Sequence, residues 1–75
     1  MSWHERIRIT AGVRGGKPCI RDTRITVYDV LEYMAGGMTE DQILDEFPSL
    51  EREDIRAVLG FAADRERRMG DSPAA

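Results

Sequence analysis

The chain has 75 residues, with 11 basic and 14 acidic side chains, a formal net charge of −3 and one cysteine. That length allows a single domain with a marginal hydrophobic core, and one cysteine excludes an internal disulfide. No run of about eighteen apolar residues is present, so no membrane-spanning helix and no membrane partner are expected.

Of the devices that stabilise very small domains, assembly is the one left, and a homodimer is expected. His4 and Cys19 do not form a zinc-binding spacing, so neither a metal nor another cofactor is expected. The opening segment Met1–Arg6 lacks the basic-then-apolar pattern of a signal peptide. A cytoplasmic, reducing setting is the matching expectation. Charge is unevenly spread. Residues 1–26 carry six basic side chains against two acidic, a balance of +4, and residues 27–75 carry five against twelve, a balance of −7. Such polarity suggests two different partners or self-association; the plainer reading is a chance distribution of solvated charge.

In chain order, Ile7-Arg8-Ile9 alternates apolar and basic as a half-buried strand does. Val13-Arg14 is expected to add a short extended piece before Gly15-Gly16. The run Gly15-Gly16-Lys17-Pro18-Cys19-Ile20-Arg21-Asp22-Thr23-Arg24-Ile25-Thr26 reads as a rigid connector. Pro18 belongs in a turn or at a strand edge, and Asp22-Thr23 turns through side-chain hydrogen bonds to the backbone. Pieces this short cannot stand as a sheet and must lie on helices or pair with a second chain.

Helical spacing begins at Val27, where Val27, Val30, Leu31 and Met34 form one apolar stripe. Thr26 serves as cap, Asp29 suits the helix dipole and Gly36-Gly37 stops the helix. A second helix opens on the capping box Thr39–Gln42, buries Ile43, Leu44 and Phe47, and ends at Pro48. A third starts near residues 50–52 and is expected to bury Ile55, Val58, Leu59 and Ala62, with Glu51 a poor cap. Phe61 lies off that stripe, at the edge of the core or in a dimer contact. Three helices with short connections match the trihelical helix-turn-helix layout. The expected architecture is therefore mainly α: an N-terminal β arm or hairpin over 1–26, a three-helix helix-turn-helix-like body over 27–68 and a disordered tail over 69–75.

These residues carry a resemblance. Ile9, Gly16-Lys17-Pro18, Ile20, Asp22-Thr23-Arg24-Ile25, Val27, Gly36-Gly37, Thr39-Glu40, Ile43-Leu44, Phe47-Pro48, Leu50, Glu53-Asp54-Ile55 and Ala57-Val58-Leu59 follow the pattern of the family catalogued as domain of unknown function 433. The likeness spans roughly residues 5–63. Members resemble helix-turn-helix proteins, are grouped with antitoxins of the VapB kind and commonly neighbour a PIN-like nuclease toxin. The resemblance thus implies an antitoxin that binds a PIN-like ribonuclease and its own operator DNA.

Two cationic groups are candidates for nucleic-acid contact: Lys17, Arg21 and Arg24 on the arm, and Arg52 and Arg56 on the third helix. Each has a structural alternative. Arg24 would pair with a carboxylate of the helices, and Arg52 and Arg56 would belong to a solvated helix start rich in Glu51, Glu53 and Asp54. Cys19 reads as a small buried hydrophobe, His4 as having no specific role, and Tyr28 and Tyr33 as covers for the core edge. The carboxylate pairs Asp29/Glu32 and Asp41/Asp45 read as exposed helix faces, and Gly15-Gly16-Lys17 lacks the rest of a phosphate-cradling loop. A binding module, and not an enzyme, is expected.

Overall fold

The computed structural model describes residues 2–70. Of the tail expected over 69–75, residues 71–75 lie outside them and residues 69–70 belong to the third helix. The chain forms a two-stranded antiparallel hairpin, β1 (Ile7–Arg8) and β2 (Cys19–Ile20), then three helices: α1 (Val27–Ala35), α2 (Glu40–Glu46) and α3 (Arg52–Gly70). The mainly helical, three-helix architecture with an N-terminal hairpin is thus observed.

Alternation decides the hairpin. Ile7 faces Ile20 across the register and both are buried, while Arg8 opposite Cys19 points to solvent. Ile9 does not continue the strand and is 65% exposed. The piece expected at Val13-Arg14 is instead a single 3-10 turn over Arg14–Gly16. Arg14 (φ 49°), Gly15 (φ 68°) and Gly16 (φ 79°) all lie in the left-handed region, which two glycines occupy without penalty. Arg14 is held there by its guanidinium, which donates to the Arg24 carbonyl at 2.7 Å and to Asp29 Oδ2 at 3.1 Å.

Each helix is closed by local chemistry. Thr26 and Asp29 form a reciprocal capping box on α1, and Thr39 and Gln42 form one on α2. At the end of α1, Gly37 N–H donates to the Met34 carbonyl and Met38 N–H to the Tyr33 carbonyl, each at 3.0 Å. Gly37 at φ 102° makes this stop possible. For α3 the cap residue is Glu51, whose side chain does no capping. Asp54 performs the return half of the box alone: its Oδ2 accepts from the Glu51 backbone N–H at 2.8 Å.

Asp54 is only 4% exposed, so the acidic start of α3 is not wholly the solvated face that its composition suggests. Its other oxygen accepts from Arg6 Nη1 at 2.9 Å, and the same nitrogen reaches Glu51 Oε1 at 2.9 Å. Hydrogen bonds that Arg6 donates first to Glu51 and then to Asp54 raise its pKa further above its already high value. The arm is also pinned at Trp3. Its indole meets Phe61 edge-on at 4.8 Å and donates to Asp64 Oδ2 at 2.6 Å. The arm is therefore clasped to its own bundle.

The core lies between hairpin and helices, with Ile20, Val30, Ile43, Ile55 and Val58 essentially inaccessible. Along α3 one expectation is corrected and one open alternative is decided. Leu59 is 40% exposed and not buried, and Phe61 lies in the core, because Trp3 extends the core to its side. Tyr28 does not cover the core either and is 63% exposed, whereas Tyr33 stacks on Phe47 at 5.2 Å. No helix among the described residues is long and apolar enough to cross a membrane.

Two outcomes follow from the caps. Asp54→Ala removes the cap of α3 and should lower unfolding free energy by about 1–2 kcal/mol in urea titrations; an unchanged midpoint would refute the capping role. Burial alone would push the Asp29 carboxyl up, but hydrogen bonds from Thr26 and the Arg14 charge outweigh it and hold it below its ordinary 3.8. A lowered folded pKa favours the ionised form on folding. Its contribution is therefore present above pH 3.8 and is lost as pH falls through the lowered value. Asp29→Asn should flatten the acid limb of a stability–pH curve and leave less to lose below that point.

Candidate nucleic-acid interface

The structure divides the five candidate cations. Arg52 is spent within the body: its guanidinium binds Glu40 at 2.9 Å and Asp41 at 2.6 Å, tying the start of α3 to the start of α2. Hydrogen bonds that it donates first to Asp41 and then to Glu40 raise its pKa. Neutralised in this way, Arg52 has little charge left to offer a phosphate. Arg56 is exposed on α3 and makes no ion pair among the described residues.

The arm cations separate further. Arg21 and Arg24 are exposed and, with Arg8, line a basin of about 500 Å³ on the hairpin. Lys17 lines a different concavity, also of about 500 Å³, between the Lys17-Pro18 turn, α1 and the second half of α3. Tyr28, Leu31 and Ala62 give that groove its apolar walls, and Arg65 and Glu66 lie along it. The expected set is thus not one surface. The arm cations lie on two separate concavities of different chemistry, one formed by the arm alone and one shared with α1 and α3.

Arg24 does not fasten the arm to the helices: its side chain makes no ion pair among the described residues, and its backbone carbonyl accepts from Arg14, another residue of the arm. The fastening arginines are Arg6 and Arg14, and neither stood out in the sequence. The only available hint was that each sits in the basic segment preceding an acidic helix start. Arg8 was equally overlooked as a site residue, although the Ile7-Arg8 alternation already put it on the outer face. Cys19 is buried, and its Sγ donates to the Lys17 carbonyl at 3.4 Å, in keeping with a structural role. His4 stacks on Trp3 at 3.7 Å. Among the described residues no group of three or more His, Cys, Asp or Glu is arranged to hold a metal.

Comparison with known proteins agrees with this architecture. A crystal structure of a DUF433 member from Anabaena variabilis superposes with a TM-score of 0.79 at 31% identity, covering 93% of this chain and 69% of that one. The uncharacterized protein y4eO of Sinorhizobium fredii is 35% identical over 74 residues, covering 92% of this chain. The chain spans only about a third (34%) of that relative's length. The family model for DUF433, protein of unknown function, matches residues 7–62, and the chain belongs to that family.

Proposed function

We propose that this chain is a non-enzymatic binding module, the antitoxin of a type II toxin–antitoxin pair, which holds a PIN-like ribonuclease toxin and contacts its operator DNA as a cytoplasmic homodimer. The observation that carries this reading is the presence of two separate concavities of unlike chemistry, one rimmed by arginines and one walled by apolar side chains. A module with two macromolecular partners needs such a pair. The arginine-rimmed basin suits a phosphate backbone. The groove suits a protein, and the exposed Tyr28 is the kind of aromatic anchor that dominates protein interfaces.

DNA contact in this reading runs through the arm, not through the helix that a helix-turn-helix layout would nominate. The amino end of α3 carries Glu51, Glu53 and Asp54 beside an already paired Arg52. That same acidity favours a second reading, a protein-interaction module with no nucleic-acid contact.

A gel shift on the DNA upstream of the protein's own gene separates the two. Operator binding should weaken steeply with salt, by a log–log slope of about −0.9 for each phosphate engaged. Arg21→Ala with Arg24→Ala should abolish the shift, and Arg52→Ala should leave it intact. In parallel, the neighbouring gene's product should co-purify and lose ribonuclease activity, and Tyr28→Ala should release it. No shift with an intact complex would favour the interaction module; neither shift nor complex would contradict both readings.

A further inference from the structure

Arginine pairing is sharply divided in this fold. Arg6, Arg14, Arg52 and Arg67 each form an ion pair with a carboxylate. Arg8, Arg21 and Arg24 make none among the described residues, yet all three line one basin. Asp22 is the single carboxylate on that rim, which leaves two positive charges uncompensated. Like charges gathered without partners repel, and a bound anion is what relieves the repulsion.

The backbone beneath these side chains is fixed. Arg8 rises from β1 opposite Cys19, and Arg21 N–H donates to the Arg6 carbonyl at 2.9 Å. Ile20 N–H donates to the Ile25 carbonyl at 2.9 Å and the Thr23 hydroxyl to the Ile20 carbonyl at 2.7 Å, which closes the loop carrying Arg21 and Arg24. Asp22 at φ 61° makes that tight reversal. Three guanidinium groups are therefore rooted on one rigid hairpin, with the Thr10 hydroxyl on the same rim.

Guanidinium forks match the oxygens of a phosphate group, and several of them lining one basin favour a tetrahedral, multiply charged anion over a single carboxylate. We propose that the basin framed by Arg8, Arg21 and Arg24 is a phosphate-binding site. The proposal deepens the DNA-contact reading above and rests on it only for the source of the phosphate, a nucleic-acid backbone or a free phosphorylated molecule.

The test is a nitrogen-15 NMR titration of the full chain with inorganic phosphate, pyrophosphate and, separately, a short duplex of the upstream sequence at low salt. Saturable shifts should appear at the amides of Arg8 and residues 21–24 and at these arginines' guanidinium groups, with Lys17, Arg56 and Arg65 unmoved. Arg8→Gln with Arg21→Gln should weaken phosphate binding about a hundredfold, about tenfold per lost charge-assisted contact. Arg24→Gln, at an exposed turn position, provides a second variant should the double one fold poorly. Shifts spread evenly over all cations, no saturation, or full affinity in both variants would overturn the site. Saturation by pyrophosphate with no response to the duplex would uphold the site while refuting DNA as the source. Duplex binding with affinity and salt slope unchanged in both variants would overturn the site and the arm as the DNA contact, while leaving DNA binding by another surface standing.

Discussion

Burying the Asp54 carboxylate is the constraint on which the rest of this small structure depends. An ionised group at 4% exposure is tolerable only if its oxygens are satisfied. One is satisfied by the Glu51 amide that begins α3, the other by Arg6 from the far end of the sequence. A single side chain thus starts the longest helix and fixes the arm that precedes all three. Once Arg6 is held, its carbonyl receives the Arg21 amide, and the hairpin is set on the bundle with Ile7 and Ile20 inward.

The same constraint orders the charges that remain. Pairing consumes the cations at the seams: Arg6 between arm and α3, Arg14 between the glycine turn and α1, Arg52 between α2 and α3. Of the cations left unpaired among the described residues, Arg8, Arg21 and Arg24 gather on the outer side of the arm, while Lys17 lies on the groove and Arg56 on α3. Polarity between the two halves of the sequence is therefore used twice. Part of it is neutralised to hold the arm on the body, and the rest is displayed on the hairpin. Within this chain the arm is held on its own body by the Arg6–Asp54 and Arg14–Asp29 pairs.

Much of this was legible in the sequence, because local rules govern it. The stripe Val27, Val30, Leu31 and Met34, the boxes at Thr26 and Thr39, the glycine stop and the Asp22-Thr23 turn each depend on residues within a few positions of one another. What escaped was long-range. Arg6 meets Asp54 and Trp3 meets Asp64 across most of the chain, and no spacing rule anticipates either. On the third helix the spacing puts Leu59 on the buried stripe and Phe61 off it. Only the docking of Trp3 decides for Phe61. Among the candidate cations, Arg8 is hidden in the sequence by its role in strand alternation, and the pairing of Arg52 with Glu40 and Asp41 runs between two helices, where no spacing rule reaches.

Native-state hydrogen exchange measures the clasp most directly. If the arm is welded to the bundle through Arg6, Asp54 and Trp3, the amides of Ile20 and Arg21 should be protected to the same free energy as those in the middle of α3. Release of the hairpin amides well before the α3 amides would mean that arm and body open independently, and would contradict the account.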